Sequence, residues 1–575
     1  MRVGNKTVPF NKEATRWLGI WLDSQLSLKE HHACRMKKGK KAMARVRRLT
    51  GQMGLSPANC RKVMTACVQS VALYGAEFWW KISRQSKGRA DEIQKLVNQE
   101  ARAVTGCFRT TNAGVLALEA GLRPAEAQLN NRQRRFGIRL SGLPEGDHAK
   151  KLVGASSAVG RRLQEAIGYA GRLEPITLLP APEALDATMV VEEESLAKAE
   201  AERPRRGLTM FTDGSRLDSG AAGYAVTWRK GTSWVGIKTH MGYNQEAYDA
   251  ECAALARGLK EARQRQPTPE AVTIFTDAQA AIGRMASEEP GPGQRYAIEA
   301  RQHVAALKRA RPDIRIEIRW CPAHKGVPGN EKADAWAKLA AEEPDAHGVE
   351  WLAHADGTPR SMPLPRSLAH LSREASEKKW REARQWSKAR ITPAKYKIPE
   401  KQRPDRTVAG SSKRSAARFY QLRSGHALTG QYLKWTKSRP SARCEWCRYQ
   451  CQTREHLLKN CPEWKTQQKM MWSTVKKETG RWKSRWKIRD LFADPRCSQA
   501  ILDFLASTQV GRRAPKPEEE EEDAQSEASE WELREREERD EERRQWDAAM
   551  GEEAERLLFF PLPFLSASTG NEEEE

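Results

Sequence analysis

Long apolar runs are missing from this chain. The longest stretch near its end, Leu557–Leu565, is broken by Pro561 and Pro563. A helix that crosses a bilayer needs about 20 apolar residues, so no membrane span is expected. The first residues, Met1–Asn11, lack the apolar core of a secretory signal, so an intracellular, unsecreted protein is expected. No segment recurs at a fixed period, which argues against a repeat array. The 11 cysteines are scattered through a long basic chain. Structural disulfides are therefore not expected, and close Cys/His groups are read first as metal sites.

What is abundant is charge, and it is unevenly placed. The 575 residues carry 99 Lys and Arg against 75 Asp and Glu, a net of +24. Glu518–Glu575 holds 23 acidic and 6 basic residues, so the first 517 residues hold 93 basic and 52 acidic ones. A body that basic points to a phosphate-rich partner, although a solvated basic surface has the same composition. The acidic end is read as an interaction arm, a mask for the basic body, or an inert tail.

The length calls for several domains. Residues 1–142 read as mostly helical after a strand-like run at Thr15–Asp23, and 143–206 as a Pro-rich linker. Residues 207–343 alternate strand and helix signals. Residues 344–440 read as a basic linker with spaced tryptophans, 441–466 as a Cys/His module, 467–514 as helical, and 515–575 as a charged disordered or lone-helix tail. The expected fold is thus multi-domain, with a central α/β domain between a helical segment and a small metal module.

Within 207–343, two apolar strand patterns end in carboxylates, at Asp213 and Asp277. Between them lie two more strand patterns, Gly223–Trp228 and Ser233–Lys238, and a helix pattern, Glu246–Gln264, that contains Glu251. Further on come helices at Gln279–Met285 and Arg295–Arg309, a strand at Ile314–Trp320, a Gly/Pro-flanked loop with His324, and a helix Asn330–Ala341 with Asp334 in its first turn. Singly, each acid has a plain reading as a strand-end turn residue, a helix-surface residue or a dipole partner.

In order, Phe211-Thr-Asp-Gly-Ser215, Asp249-Ala-Glu251, Phe275-Thr-Asp277 and Pro322-Ala-His-Lys-Gly-Val-Pro-Gly-Asn-Glu-Lys-Ala-Asp334 resemble the type 1 ribonuclease H family over about 135 residues. The resemblance implies a mixed five-stranded sheet with helices. It implies an endonuclease that hydrolyses the RNA strand of RNA–DNA hybrids. It makes Asp213, Glu251, Asp277 and Asp334 the ligands of two Mg²⁺ or Mn²⁺ ions, with His324 assisting proton transfer or product release. The chemistry agrees: hydrolysing a phosphodiester needs an activated water and a stabilised leaving oxygen, which two hard cations about 4 Å apart supply through oxygen ligands.

Substrate contacts are expected from Gly214, Ser215, Gln279 and Asn330. The family's two asparagines just before the catalytic glutamate are replaced by Ala247 and Tyr248, which leaves Asn244 and Gln245 as the candidates for 2′-hydroxyl contact. The basic, Trp-bearing handle of many cellular members is reduced to Ser287–Gly293. Hybrid affinity is therefore expected to draw on the basic neighbours.

Cys444-x₂-Cys447-x₈-His456-x₄-Cys461 offers three thiolates and an imidazole, the donor set of one tetrahedral Zn²⁺. Cys451 is a spare. Trp446, Tyr449 and Trp464, set among Lys and Arg, would either stack on bases or cover a small metal core.

Thr15–His31 and Leu73–Trp79 resemble the region just after the polymerase palm in reverse transcriptases of non-LTR retrotransposons. Those elements carry polymerase, ribonuclease H and a Cys/His cluster in the order seen here. The chain has no Asp-Asp dipeptide, so no polymerase activity is expected. The resemblance implies the C-terminal part of a retrotransposon polyprotein, with a thumb-like segment that tracks a duplex by phosphate contacts. The alternative is a catalytically decayed remnant that binds nucleic acid without cutting it. Lys37–Arg48 is basic enough for nuclear import, and basic nucleic-acid-binding helices look the same.

Overall fold

The computed structural model describes residues 14–51, 54–82, 86–143, 146–152, 160–161, 173–175, 185–343, 364–392, 396–399 and 403–512, and the backbone pairs 2–3, 6–7 and 348–349. The charged tail expected at 515–575 lies outside these residues. No helix among the described residues is long and apolar enough to cross a membrane.

The N-terminal part is helical, as its pattern implied. A hairpin, Thr15–Trp17 with Ile20–Leu22, turns through Leu18 and Gly19, both at positive φ. It precedes α1 (Lys29–Arg47), α2 (Lys87–Thr105), α3 (Ala113–Ala120) and α4 (Ala125–Ser141). These helices bury Met36, Leu96, Val97, Leu116 and Leu129 in one cluster.

The central sheet has strands β1 (Thr188–Val190), β2 (Leu208–Arg216), β3 (Ala222–Lys230), β4 (Ser233–Gly242), β5 (Ala271–Thr276), β6 (Arg315–Trp320) and β7 (Gly348–Val349). Their order is β7-β4-β3-β2-β5-β6-β1, with β2–β4 an antiparallel meander and β2, β5, β6 and β1 parallel. The five expected strands form its body, and short strands extend both edges, so the expectation of five is corrected to seven. The segment read as a linker supplies both β1 and α5 (Glu194–Glu202). Ion pairs from Arg319 to Glu192 (2.7 Å) and from Arg205 to Glu317 (3.3 Å) tie this segment to β6. A strand of three residues among charged neighbours has no periodicity to read, which is why it is invisible locally.

Alternation along β2 sends Met210 to one face and Phe211 to the other. Helices α6 (Ala247–Gln264), α7 (Gln279–Ala286) and α8 (Gln294–Ala310) cover the Met210 face. Helix α9 (Pro328–Glu342) covers the Phe211 face, where Phe211 stacks on Phe275 at 5.1 Å.

The stretch read as a basic linker holds a long amphipathic helix, α10 (Leu368–Lys388), which buries Leu371, Ala375 and Ala383. After it come α11 (Lys413–Ser424), α12 (Gly430–Trp435), the Cys/His segment, α13 (Lys465–Thr479) and α14 (Ser498–Ala506). Their core is continuous with that of α1–α4: Phe419, Leu457, Trp472 and Ile501 join Met64, Leu116 and Leu129 in a single cluster. Lys413 Nζ donates to Val104 O at 2.6 Å and so satisfies a carbonyl at the C-terminus of α2. A buried ion pair, Arg423 to Glu119 at 2.7 Å, joins α11 to α3.

Candidate functional site

The register of two parallel strands builds the first half of the site. Thr212 of β2 pairs with Thr276 of β5, so the next residues, Asp213 within β2 and Asp277 just past the end of β5, lie side by side. Neighbouring strands lie about 4.8 Å apart. Asp213 is two residues beyond Phe211 and therefore faces α9. That helix brings Asp334, which sits in its second turn rather than its first because the helix begins at Pro328.

Glu251 arrives from the other side. A Cβ on Gly214 would stand 2.2 Å from the backbone nitrogen of Glu251, so only glycine lets α6 lie against β2 at this level. The motif's glycine thus acts as a spacer that seats the third carboxylate beside the first.

The electrostatics follow from this packing. Burial, then the charges of Asp277, Asp334 and Glu251, hold the Asp213 carboxyl well above the usual range. Burial, then Asp277 and Asp249, push Glu251 up to about 7. Asp277 is raised by burial and by Asp334, against the opposing influence of Asn330 and His324. Three acids that resist ionisation, with the charge of Asp334 acting on two of them, fit a site that takes up cations. Oxygen-only donors suit Mg²⁺ or Mn²⁺.

The remaining expected residues fall into three groups. His324 lies on an exposed loop at φ 51°, close enough for its charge to act on Asp277. Gln279 is exposed at the first position of α7, and Ser215 is partly exposed on β2. Asn330 is buried, and its Nδ2 donates to Asp277 Oδ2 at 3.1 Å, so it positions a carboxylate instead of facing substrate.

Asn244 and Gln245 require a correction. Asn244 Nδ2 donates to Leu364 O at 2.8 Å and Gln245 Nε2 to Pro365 O at 2.9 Å. Gln245 is buried with its amide turned to a neighbouring segment of the chain, which removes it as a candidate for 2′-hydroxyl contact, while half-buried Asn244 gives one N–H to the same segment.

That segment exposes residues the motifs did not. Glu246 and Asp249 form a reciprocal capping box at the N-terminus of α6. Ser367 Oγ donates to Asp249, His370 Nδ1 lies 2.7 Å from Glu246 Oε1, and Arg373 Nε donates to Glu246 Oε2 at 2.8 Å. Helix α10 thus clamps the end of the helix that carries Glu251. Its far half holds the helical body, where Arg134 pairs with Glu382 and Asn130 Nδ2 donates to Glu382 at 3.3 Å. Only the acid spacing of the capping box was available as a signal; its partners lie about 120 residues away in sequence.

A second centre lies in the C-terminal half. Ligand atoms of Cys444, Cys447, His456 and Cys461 all fall within 4.8 Å of one another. Cys444 Sγ is 3.9 Å from Cys461 Sγ, and Cys447 Sγ is 3.2 Å from His456 Nε2. Donors about 2.0–2.3 Å from a tetrahedral Zn²⁺ stand about 3.3–3.8 Å apart, so this donor set fits that ion. Cys451 stays outside the group. Trp446 and Trp464 meet edge-to-face at 5.2 Å against the core, while Tyr449 stacks flat on His456 at 4.7 Å. The two tryptophans cover the module.

Residues 205–342 match the RNase H family model. Similar solved structures include RNase H1 from the halophilic archaeon Halobacterium salinarum, at 19% identity over 24% of this chain and 98% of that one, with a TM-score of 0.20. They also include the N-terminal RNase H domain of Mycobacterium tuberculosis rv2228c fused to maltose-binding protein, at 20% identity, 23% and 98% coverage and a TM-score of 0.20. A third is LC11-RNase H1 isolated from compost by a metagenomic approach, at 20% identity, 24% and 99% coverage and a TM-score of 0.19. No curated protein matches the chain. The central region is an RNase H domain by the family model.

Three measurements follow. Glu251 moves from an ordinary value of 4.5 to about 7 on folding. The metal-free folded state then holds a proton that the unfolded state has lost, so stability falls as pH rises from about 4.5 through 7 and levels off above. Mg²⁺ is expected to raise the thermal midpoint at pH 8 and to do little at pH 5; equal effects at both would contradict the cluster. Ser367→Ala leaves buried Asp249 short of a donor and is expected to cost about 1–3 kcal/mol in urea denaturation. Chelation of tightly held zinc is expected to expose the 441–466 region to protease, with recovery on adding Zn²⁺ but not Mg²⁺. Indifference to chelators would remove the zinc reading.

Proposed function

We propose that the RNase H domain hydrolyses the RNA strand of RNA–DNA hybrids. The observation that carries this is the gathering of Asp213 from within β2, Asp277 from the end of β5 and Glu251 and Asp334 from two helices, where burial and neighbouring charge raise Asp213, Glu251 and Asp277. These four would hold two Mg²⁺ or Mn²⁺ ions, which supply an activated water and charge stabilisation for the leaving oxygen.

The chain's own residues do the rest. Asn330 holds Asp277 in one orientation through its Nδ2 donor. Trp320 Nε1 donates to Asp277 O at 3.0 Å and fixes the backbone beneath it. His324, on the exposed loop beside Asp277, delivers or removes a proton at the departing oxygen. Gln279, Gly214 and Ser215 face the hybrid, and selection of RNA rests on its 2′-hydroxyls in the minor groove. Cys444, Cys447, His456 and Cys461 would hold one Zn²⁺ as a structural site.

We further infer an origin in the C-terminal part of a non-LTR retrotransposon polyprotein, without polymerase activity, that binds hybrid and other nucleic acid. Contact between the two N-terminal segments that resemble such elements supports this reading. His31 Nε2 lies 2.8 Å from Tyr74 O, and Tyr74 OH donates to Leu18 O at 3.0 Å. The helical segment would be the thumb-like part. The domain division stands as a proposal, with two amendments: α5 and β1 go with the nuclease domain, and the stretch 344–440 holds α10, α11 and α12.

One observation favours the second reading, a decayed binder. Lys338 Nζ sits 2.8 Å from Asp334 Oδ2, where a cationic side chain competes with a metal ion. A labelled hybrid incubated with and without Mg²⁺ separates the two. Metal-dependent shortening of the RNA strand alone is expected. Asp213→Asn and Asp277→Asn should each reduce it by at least about 100-fold, and Asn330→Ala by about 10–100-fold, the usual range for residues that orient a metal ligand. An uncut hybrid that is nevertheless bound would establish the decayed binder.

A further inference from the structure

The stretch that joins α11 to α12 carries chemistry the nuclease does not use. Gly425, Ala427, Thr429 and Gln431 line part of a cavity of about 650 Å³. The residues between and after them form an aromatic cluster. Tyr432 stacks on Phe108 at 5.5 Å with the rings 14° apart, and Trp435 and His426 lie 5.8 and 5.7 Å from Tyr432. Thr110 Oγ1 lies 2.8 Å from Tyr432 OH and 3.0 Å from His426 Nδ1. The cluster is therefore held rigid across two distant parts of the chain. Trp435 is nevertheless 64% exposed, a large flat ring left in water.

The rest of the cavity lining is basic. Arg454, Lys459, Lys487 and Arg489 contribute four positive charges against the single negative charge of Glu455. Glu455 is paired with Lys459 at 2.8 Å, so the cavity keeps a net positive charge. Trp486 also lines it, and its buried Nε1 donates to no acceptor among the described residues. A ligand with an anionic, hydrogen-bond-accepting part suits this lining.

We propose that the cluster and the cavity together bind single-stranded nucleic acid, with unpaired bases stacked on Trp435 and Tyr432 and a backbone phosphate in the basic cavity. Every base has a π-face, so stacking of this kind is tolerant of sequence, and neutralising phosphates makes binding depend on salt. A blunt duplex hides its base faces and cannot use the aromatic half. The proposal concerns a site outside the RNase H domain and does not depend on catalysis.

The test is fluorescence anisotropy of the full chain with labelled oligouridylate and oligodeoxythymidylate over a range of salt, with a blunt duplex as control. Trp435→Ala is expected to weaken both single strands about tenfold, and Trp435→Phe to recover most of the loss. Lys487→Ala should lower the slope of log affinity against log salt by about 0.7. Duplex affinity and cleavage of a blunt hybrid should not change in Trp435→Ala, so failure here is distinguishable from failure of the nuclease. Unaltered single-strand affinity in Trp435→Ala, with an unchanged circular dichroism spectrum, would overturn the proposal. So would equal losses for single strands and duplex.

Discussion

Like charge brought together out of water is the constraint around which the central domain is built. Two carboxylates at the spacing of adjacent strands repel by about 3 kcal/mol at the effective dielectric of a partly buried site. Nothing in the local sequence compensates. The compensation is architectural: β2 and β5 are parallel neighbours in a sheet whose two faces are covered, and α6 is pinned at its N-terminus. The geometry is held by covered faces and a glycine spacer, while the acids themselves oppose it. Such a site is maintained at a cost in stability.

Holding α6 in place reaches far beyond the domain. Its N-terminal capping box is completed by Ser367 and His370, and the helix they begin continues onto α4 of the helical body. That body is itself assembled from both halves of the chain, through a shared apolar cluster, the buried Arg423–Glu119 pair and the Lys413 contact with the end of α2. The nuclease domain is an insertion between two sequence segments that fold on one another. Movement of the body relative to α6 would be felt at Glu251, because α10 spans both.

The parts of this arrangement that were legible in sequence are those with local signatures. Apolar runs ending in acids marked β2 and β5, the fourth motif located Asp334, and the Cys/His spacing marked a cluster whose atoms converge. What escaped depends on long-range partners. Asn244 and Gln245 look like free polar residues until Leu364 and Pro365 are placed against them. The helix Leu368–Lys388 hides in a stretch whose charge suggests a linker, because its buried stripe is mostly alanine and leucine at helical spacing among many Lys, Arg and Glu. The edge strand Thr188–Val190 is defined by β6 alone.

Charge placement explains why such a domain needs its neighbours. A phosphodiester approaching Asp213, Glu251, Asp277 and Asp334 meets negative charge, and the residual loop Ser287–Gly293 offers no basic handle to offset it. Cations held by the carboxylates, as proposed, would reverse the sign only over the last few ångströms, since at physiological salt the field decays over about 8 Å. Attraction at longer range must come from elsewhere on the molecule. The first 517 residues carry 93 basic side chains, most of them outside the nuclease domain. On the proposed function, affinity would be carried by the basic body and selectivity by the acidic site, with α10 in contact with both the nuclease domain and the helical body.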